Sequence, residues 1–161
     1  MTIAKKINWL SLTICLLIPV VVGIISGFAT AKGVSGWYVS AEKPSFNPPN
    51  NLFAPVWTVL YLAMGLALYI IWNSPPTESR KRALIFFGIQ LFFNFLWSFL
   101  FFNFQLLDVA FFWIFTLWLL ILATIYYTYD ISLWATALLI PYVLWVGFAS
   151  VLNFSIWQLN L

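Results

Sequence analysis

Five long apolar runs, separated by short polar or proline-containing stretches, dominate the hydrophobic pattern of the chain. A helix needs about 20 apolar residues to cross a bilayer core of roughly 30 Å. Helices are expected because lipid offers no hydrogen-bond partners to the backbone. The pattern therefore predicts an all-α integral membrane bundle, one domain over residues 1–161, with five transmembrane helices at 7–31, 52–72, 83–102, 106–127 and 132–157.

Residues 33–50 form the only long stretch that is not apolar, and they contain Pro44, Pro48 and Pro49. Because consecutive prolines cannot propagate a helix, this segment is predicted to be an ordered or extended loop. The short links between the second and fifth runs predict antiparallel neighbouring helices. The first run begins like a signal peptide, but its length of about 25 residues favours a retained helix.

Composition strengthens this picture, since 64% of the 161 residues are hydrophobic and 7% are charged. Soluble domains carry roughly 25% charged residues. The composition excludes a soluble globular protein, a disordered chain and a nucleic-acid-binding domain, so no nucleic-acid partner is expected. The charges report orientation instead, because basic residues favour the cytoplasmic side. Lys5, Lys6 and residues 80–82 outnumber Lys32 and Lys43, which predicts a multi-pass protein of a bacterial cell membrane with a cytoplasmic N-terminus.

The chain has no histidine and a single cysteine, Cys15. The usual ligand sets for zinc, copper and haem are therefore absent. A Ser-His or Cys-His catalytic pair is excluded for the same reason. We expect no metal site and no required cofactor.

Polar side chains inside the third run are candidates for a special role. Gln90 and Asn94 are four residues apart and share a helix face, with Trp97 beside them. Amides at membrane depth are unfavourable unless hydrogen-bonded, so this face should point into the bundle. Two interpretations stay open: the amides only join helices, or they also line a cavity.

Tryptophan is abundant, with ten residues, and several lie far from the predicted helix ends. Trp57, Trp97 and Trp145 come from three different predicted helices. They either pack the interior or form an aromatic box, which would suit a flat, conjugated apolar ligand. Gly23 and Gly27 form a small-residue stripe that allows close helix packing, within the bundle or between two copies.

Several motifs resemble the TspO/MBR family of membrane proteins, which includes the animal translocator proteins. The resemblance spans nearly the whole chain, in the same order. It rests on the segments Trp37-Tyr38, Lys43-Pro44-Ser45-Phe46-Asn47-Pro48-Pro49, Pro55-Val56-Trp57, Leu60-Tyr61, Ala63-Met64-Gly65, Gln90-Leu91, Asn94, Trp97-Ser98, Phe101-Phe102, Pro141-Tyr142, Trp145, Phe148-Ala149 and Leu152-Asn153.

The resemblance implies a five-helix bundle, a homodimer, and an interhelical pocket near the long first loop. Family members bind porphyrins such as protoporphyrin IX, and synthetic isoquinoline-carboxamide and benzodiazepine ligands, in tetrapyrrole regulation or stress responses. A porphyrin would then be the ligand or the substrate. Carried over by position, the pocket residues are Trp37, Tyr38, Trp57, Tyr61, Asn94, Trp97, Trp145, Ala149 and Leu152.

Two other functions stay open, namely an enzyme that degrades porphyrin in light, with Trp57 and Trp145 as the reactive residues, and a tetrapyrrole transporter. Charged residues at the membrane midplane, typical of transporters, are missing from the sequence. Cholesterol is doubtful as a partner, because Phe154 replaces the tyrosine of the animal motif and no basic residue follows it. Without histidine, a porphyrin would be held by stacking rather than by an imidazole ligand.

Overall fold

The computed structural model describes residues 7–161, so Lys5 and Lys6, which contributed to the predicted orientation, lie outside the described residues. Every regular element in that range is helical. A single turn of 3₁₀ helix, Asn50–Leu52, precedes the third α-helix, and a π-helical turn, Phe99–Asn103, follows the fourth. The α-helices are α1 (Trp9–Ser35), α2 (Trp37–Ser40), α3 (Phe53–Trp72), α4 (Glu78–Ser98), α5 (Leu107–Tyr129) and α6 (Leu133–Leu159).

Five of these helices are long and apolar enough to cross a membrane, namely all except the short α2. This confirms the predicted all-α bundle of five membrane-spanning helices. The helices form a closed ring in which α1 packs on α3, α3 on α6, α6 on α5, α5 on α4, and α4 on α1. Helix α2 and the rest of the loop cover one end of this ring.

Two helix ends differ from the sequence prediction by four or five residues, and the other ends by one or two at most when the π-helical turn is counted with α4. Helix α1 continues to Ser35, so the loop is shorter than predicted, and it contains α2. Helix α4 begins at Glu78 rather than residue 83, because Thr77 caps it: its hydroxyl accepts a 3.1 Å hydrogen bond from the amide of Arg80. An acidic residue in the first turn also suits the helix dipole. The charged segment is therefore helical, although its composition resembles a loop.

The π-helical turn at Phe99–Asn103 ends α4 on the same side of the bundle as the loop. Its signature is the 2.9 Å hydrogen bond from the amide of Phe104 to the carbonyl of Phe99, five residues earlier. Gln105 then takes a left-handed backbone conformation, with φ of 56°, and the chain turns into α5. The turn places the adjacent rings of Phe101 and Phe102 together in the core.

Close packing of α1 against α3 depends on two glycines. A Cβ atom at Gly65 would lie 2.8 Å from the Cα atom of Leu16, and a Cβ atom at Gly23 would overlap the ring of Tyr61. The Gly23 end of the small-residue stripe therefore packs inside the bundle. A Cβ atom at Gly27 would meet no atom within 4 Å, so that position is open.

Candidate ligand-binding site

A chain of buried hydrogen bonds joins α3, α4 and α6 in the middle of the bundle. Tyr61 donates from its hydroxyl to Asn94 Oδ1 at 2.5 Å, and Asn94 Nδ2 donates to the hydroxyl of Tyr142 at 3.1 Å. Tyr142 in turn donates to Gln90 Oε1 at 2.7 Å. Gln90 and Asn94 therefore join helices, as both interpretations predicted, and neither side chain is among the lining residues of the cavity described below.

A second polar link fixes the ring of Trp97. Its indole N–H donates to Asn153 Oδ1 at 3.1 Å, and Asn153 Nδ2 donates to the carbonyl of Leu107 at 2.9 Å. The link connects α4 to α6 and α6 to the start of α5. Trp97 is thus held in one orientation, and its ring forms part of the wall of a cavity.

That cavity lies between α3, α4, α6 and the loop, and we call it the aromatic box. Its volume is about 20 Å³, enough for roughly one water molecule. The box is therefore closed in this structure. Its walls are Thr30, Tyr38, Phe53, Trp57, Trp97, Phe101, Phe102, Trp145, Ala149, Leu152 and Asn153.

Ring contacts connect the walls of the box. Trp57 stacks on Tyr61 with ring centroids 5.6 Å apart, and its centroid lies 6.5 Å from that of Trp97. On the other side of the box, the ring of Trp145 contacts that of Phe53, with ring centroids 6.3 Å apart. The three tryptophans singled out in the sequence thus border one cavity, from three different helices.

The indole N–H of Trp145 is a hydrogen-bond donor without an acceptor. Its nitrogen is buried and has no hydrogen-bond partner among the described residues. A buried unsatisfied donor is unfavourable by about 1–3 kcal/mol. An acceptor on a bound ligand would satisfy it.

Hydrogen bonds hold the loop over the box. The indole N–H of Trp37 donates to the carbonyl of Phe102 at 2.8 Å, and the hydroxyl of Tyr38 donates to Asn47 Oδ1 at 2.7 Å. The ammonium group of Lys43 donates to the carbonyls of Tyr38, at 2.5 Å, and Ala41, at 2.7 Å. The ring of Tyr38 is 1% exposed, and this burial raises its pKa to about 12. Tyr38 is therefore a neutral donor at physiological pH.

A reciprocal pair of hydrogen bonds ties the loop to the end of α6. The amide of Glu42 donates to Asn160 Oδ1 at 3.0 Å, and Asn160 Nδ2 donates to the carbonyl of Glu42 at 2.9 Å. Asn160 also donates to the carbonyl of Ile156 at 2.7 Å, which caps α6. The position of the loop is thus coupled to the last turn of α6.

Six of the nine predicted site residues line the box: Tyr38, Trp57, Trp97, Trp145, Ala149 and Leu152. The other three do not line it. Tyr61 stacks behind Trp57, Asn94 bonds to Tyr61, and Trp37 holds the loop through Phe102.

Sequence reasoning missed five wall residues, and three of them follow from helical spacing. Phe53 lies four residues before Trp57, Phe101 four after Trp97, and Asn153 four after Ala149. Residues three or four apart share a helix face, so a search along those faces finds these three. Phe102 lies five residues after Trp97, in the π-helical turn, and neither it nor Thr30 of α1 follows from this spacing.

The chemical character of the site is apolar. Within residues 7–161 no three Cys, Asp or Glu side chains lie close enough together to hold a metal ion. The described walls offer a ligand ring faces, aliphatic surface and the N–H of Trp145.

Comparison with known proteins assigns this chain to a protein family. A model of the TspO/MBR family matches residues 15–158. The chain belongs to the TspO/MBR family. One TspO/MBR relative is the "Tryptophan-rich protein TspO" of Archaeoglobus fulgidus, 44% identical over 159 residues, which are 95% of this chain and 99% of the relative.

Two further TspO/MBR relatives carry names that point to function. The "Tryptophan-rich sensory protein" of Cereibacter sphaeroides is 36% identical over 124 residues, 77% of each chain. The "Translocator protein" of Sus scrofa is 34% identical over 143 residues, 84% of each chain. The chain is thus a multi-pass membrane protein of a family that contains sensory and translocator proteins.

Proposed function

We propose that this protein binds a flat, conjugated, largely apolar ligand of the tetrapyrrole class, such as protoporphyrin IX, in the aromatic box. Its role would be that of a membrane sensor or translocator in tetrapyrrole regulation or stress responses. One observation carries the proposal: Trp57, Trp97 and Trp145 converge on one apolar cavity that contains an unsatisfied indole N–H.

The walls suit such a ligand by stacking and by burial of apolar area. A favourable aromatic pair contributes about 0.5–1.5 kcal/mol beyond its area burial. The N–H of Trp145 would orient the ligand by donating to a carbonyl or carboxylate oxygen. We assign this role to Trp145 rather than to Asn94, because the oxygen of Asn94 already accepts from Tyr61 and its amide donates to Tyr142. The carbonyl of an isoquinoline carboxamide or a benzodiazepine would be an acceptor of the same kind.

The closed box means that binding requires a rearrangement. Ligand sites for molecules of this size are typically about 300–1,000 Å³, whereas the box measures about 20 Å³. The ligand therefore binds a more open conformer, and the measured affinity is reduced by the fraction of protein in that conformer.

The test is quenching of tryptophan fluorescence during titration of the full chain with protoporphyrin IX. Trp57→Ala and Trp145→Ala should each weaken binding at least tenfold, while Trp134→Ala should not, because Trp134 is 80% exposed at the start of α6. Unchanged affinity in both box variants would contradict the proposed site.

A second candidate function is light-dependent breakdown of the porphyrin. It is favoured by the position of two tryptophans, Trp57 and Trp145, on the walls of one cavity. A photoexcited porphyrin would take an electron from one of these indoles, with dissolved dioxygen as the oxidant that accepts electrons and supplies the oxygen atoms of the product. Illumination of the complex separates the two functions. Loss of the Soret band with one defined product that requires both tryptophans supports an enzyme, and slow uniform bleaching supports a binder.

Orientation and assembly are further parts of the proposal. Residues 80–82, all basic, lie at the end of the bundle opposite the loop, which supports a cytoplasmic N-terminus and an external loop. The family resemblance supports a homodimer. Reporter fusions at both termini and mass measurement in a detergent of known aggregation number test these two points.

A further inference from the structure

An open groove lies beside the aromatic box, on the lipid-facing side of the bundle between α3 and α6. Its volume is about 600 Å³, which falls within the range of small-molecule sites. Its walls are apolar, with Val56 and Val59 on α3, and Pro141, Leu144 and Phe148 on α6.

Trp145 separates this groove from the box. Among the described residues that line the two cavities, Trp145 is the only one common to both. A flat ligand in the groove would therefore lie one side chain away from the closed box.

The partition formed by Trp145 is held more weakly than the loop that covers the box. The loop is fixed by hydrogen bonds from Trp37, Tyr38, Lys43 and Asn160. Trp145, in contrast, makes no side-chain hydrogen bond through its indole nitrogen. Its ring contacts Phe53 and Phe148, with distances between ring centroids of 6.3 Å and 5.5 Å. Rotation of Trp145 breaks no hydrogen bond.

The backbone beneath Trp145 is also weakened. Pro141 lies inside α6, four residues earlier, and borders the same groove. Because proline has no N–H, it cannot donate to the carbonyl of Ala137, and its ring crowds that turn. Prolines inside helices are the usual sites of bending. Helix α6 therefore lacks one backbone hydrogen bond in the turn that precedes Trp145.

We propose that Trp145 is a lateral gate, through which an apolar ligand dissolved in the bilayer passes from the α3–α6 groove into the aromatic box. This inference rests on the proposed function, and it specifies where the ligand comes from. The ligand enters from the hydrocarbon layer, and the loop stays closed during entry.

The rival lateral entrance is a cavity of about 280 Å³ between α1 and α3, bordered by Gly27 and Thr58. Thr30, Phe53 and Trp57 line both that cavity and the box, and the largest of the three is Trp57. Its ring contacts Tyr61, Trp97 and Tyr142, which belong to the buried core. Movement of Trp57 would disrupt three aromatic contacts, so this wall is the more rigid one.

The experiment measures entry rates into the full chain reconstituted in lipid nanodiscs. Protoporphyrin IX is delivered from vesicles, and stopped-flow quenching of tryptophan fluorescence gives association and dissociation rates. The test variant is the double substitution Val59→Phe/Leu144→Phe, which fills the groove at two exposed positions. Gly27→Leu is the matched control, since it fills the rival cavity at a position with free space.

Groove filling should slow association and dissociation together by about tenfold and leave the Kd within about twofold, because it changes the path and not the bound state. Gly27→Leu should leave both rates within about twofold. Pro141→Ala is an independent second variant, which restores a backbone donor, stiffens α6 and should also slow both rates.

Three outcomes would overturn the gate. Unchanged rates in both the groove variant and Pro141→Ala exclude this path. Slower entry in Gly27→Leu alone places the entrance between α1 and α3. Faster entry in Asn160→Ala, which releases the loop, with no effect of groove filling, places it under the loop. Absence of any equilibrium binding by the wild type would instead refute the proposed function.

Discussion

Tyr61 of α3 and Asn94 of α4 share a hydrogen bond of 2.5 Å that is fully enclosed by the bundle. The phenol donates and the carboxamide oxygen accepts. The same carboxamide donates to Tyr142, so Asn94 connects two tyrosines on two other helices. One short polar side chain thus sets the relative position of three membrane-spanning helices. Because the ring of Tyr61 is fixed by this bond and stacks on Trp57, it also positions Trp57.

Replacement of Asn94 should therefore destabilise the bundle. Asn94→Leu keeps the volume similar but leaves the hydroxyl of Tyr61 without its acceptor. The expected loss in the free energy of unfolding is about 1–3 kcal/mol. Thermal unfolding in detergent, followed by circular dichroism, measures it. The matched control is Tyr69→Phe, which removes a hydroxyl from the same helix α3 at the partly exposed contact with Asn8. An equal loss in both variants would contradict a special role for the buried bond.

Two glycines of α1 should respond in opposite ways to the same substitution. Gly23→Ala places a methyl group against the ring of Tyr61 and should destabilise the protein by about 1–3 kcal/mol through overpacking. Gly27→Ala meets open space and should be neutral or stabilising by up to about 1 kcal/mol, because alanine favours the helix. Thermal unfolding of the two variants side by side gives the comparison, and equal transition temperatures would be inconsistent with the packing described.

Ionisation of Tyr38 should weaken the loop at high pH. An unfolded tyrosine loses its proton near pH 10, whereas burial raises the pKa of Tyr38 to about 12. The folded protein therefore holds the phenol proton of Tyr38 more tightly than the unfolded chain does. The contribution of Tyr38 to the free energy of unfolding is complete below about pH 10 and declines as the pH rises towards 12. Tyrosinate absorbance of the wild type minus that of Tyr38→Phe isolates this group. A difference curve with its midpoint near 10 would show that the ring is not buried.

Release of the loop from α6 should be visible without any ligand. Asn160→Ala removes both hydrogen bonds to Glu42, so amide exchange at Glu42 should accelerate by roughly tenfold or more. Hydrogen–deuterium exchange with mass spectrometry reports it for the peptide that contains residues 37–49. Gln158→Ala, at an exposed position of the same helix end, is the control and should leave that exchange unchanged.

The membrane-spanning helices and most of the box could be predicted because each depends on local spacing. Apolar runs of about 20 residues specify the spans, and Trp57 and Tyr61 share a face through the helical repeat alone. The pattern predicts too short a helix α4, because Glu78 and residues 80–82 have the composition of a loop and only the cap at Thr77 shows that the helix begins there.

What the sequence could not supply were contacts between residues far apart in the chain. The bond between Asn160 and Glu42 joins positions separated by 118 residues, and that between Trp37 and Phe102 joins positions separated by 65. No rule of spacing along the sequence predicts either hydrogen bond. The unpaired N–H of Trp145 is likewise invisible in the sequence, because satisfaction of a donor depends on every neighbour that folding brings to it.

The π-helical turn at Phe99–Asn103 has a consequence for how the family can diversify. A π turn contains one residue more than an α turn, so it is equivalent to a single-codon insertion accommodated at the end of a helix. Loss of that codon would restore regular winding and rotate the end of α4, moving Phe102 away from Trp37 while the turns before Ser98 stay in place. A single insertion or deletion event at this point can thus reshape the pocket, with the bilayer-spanning architecture retained.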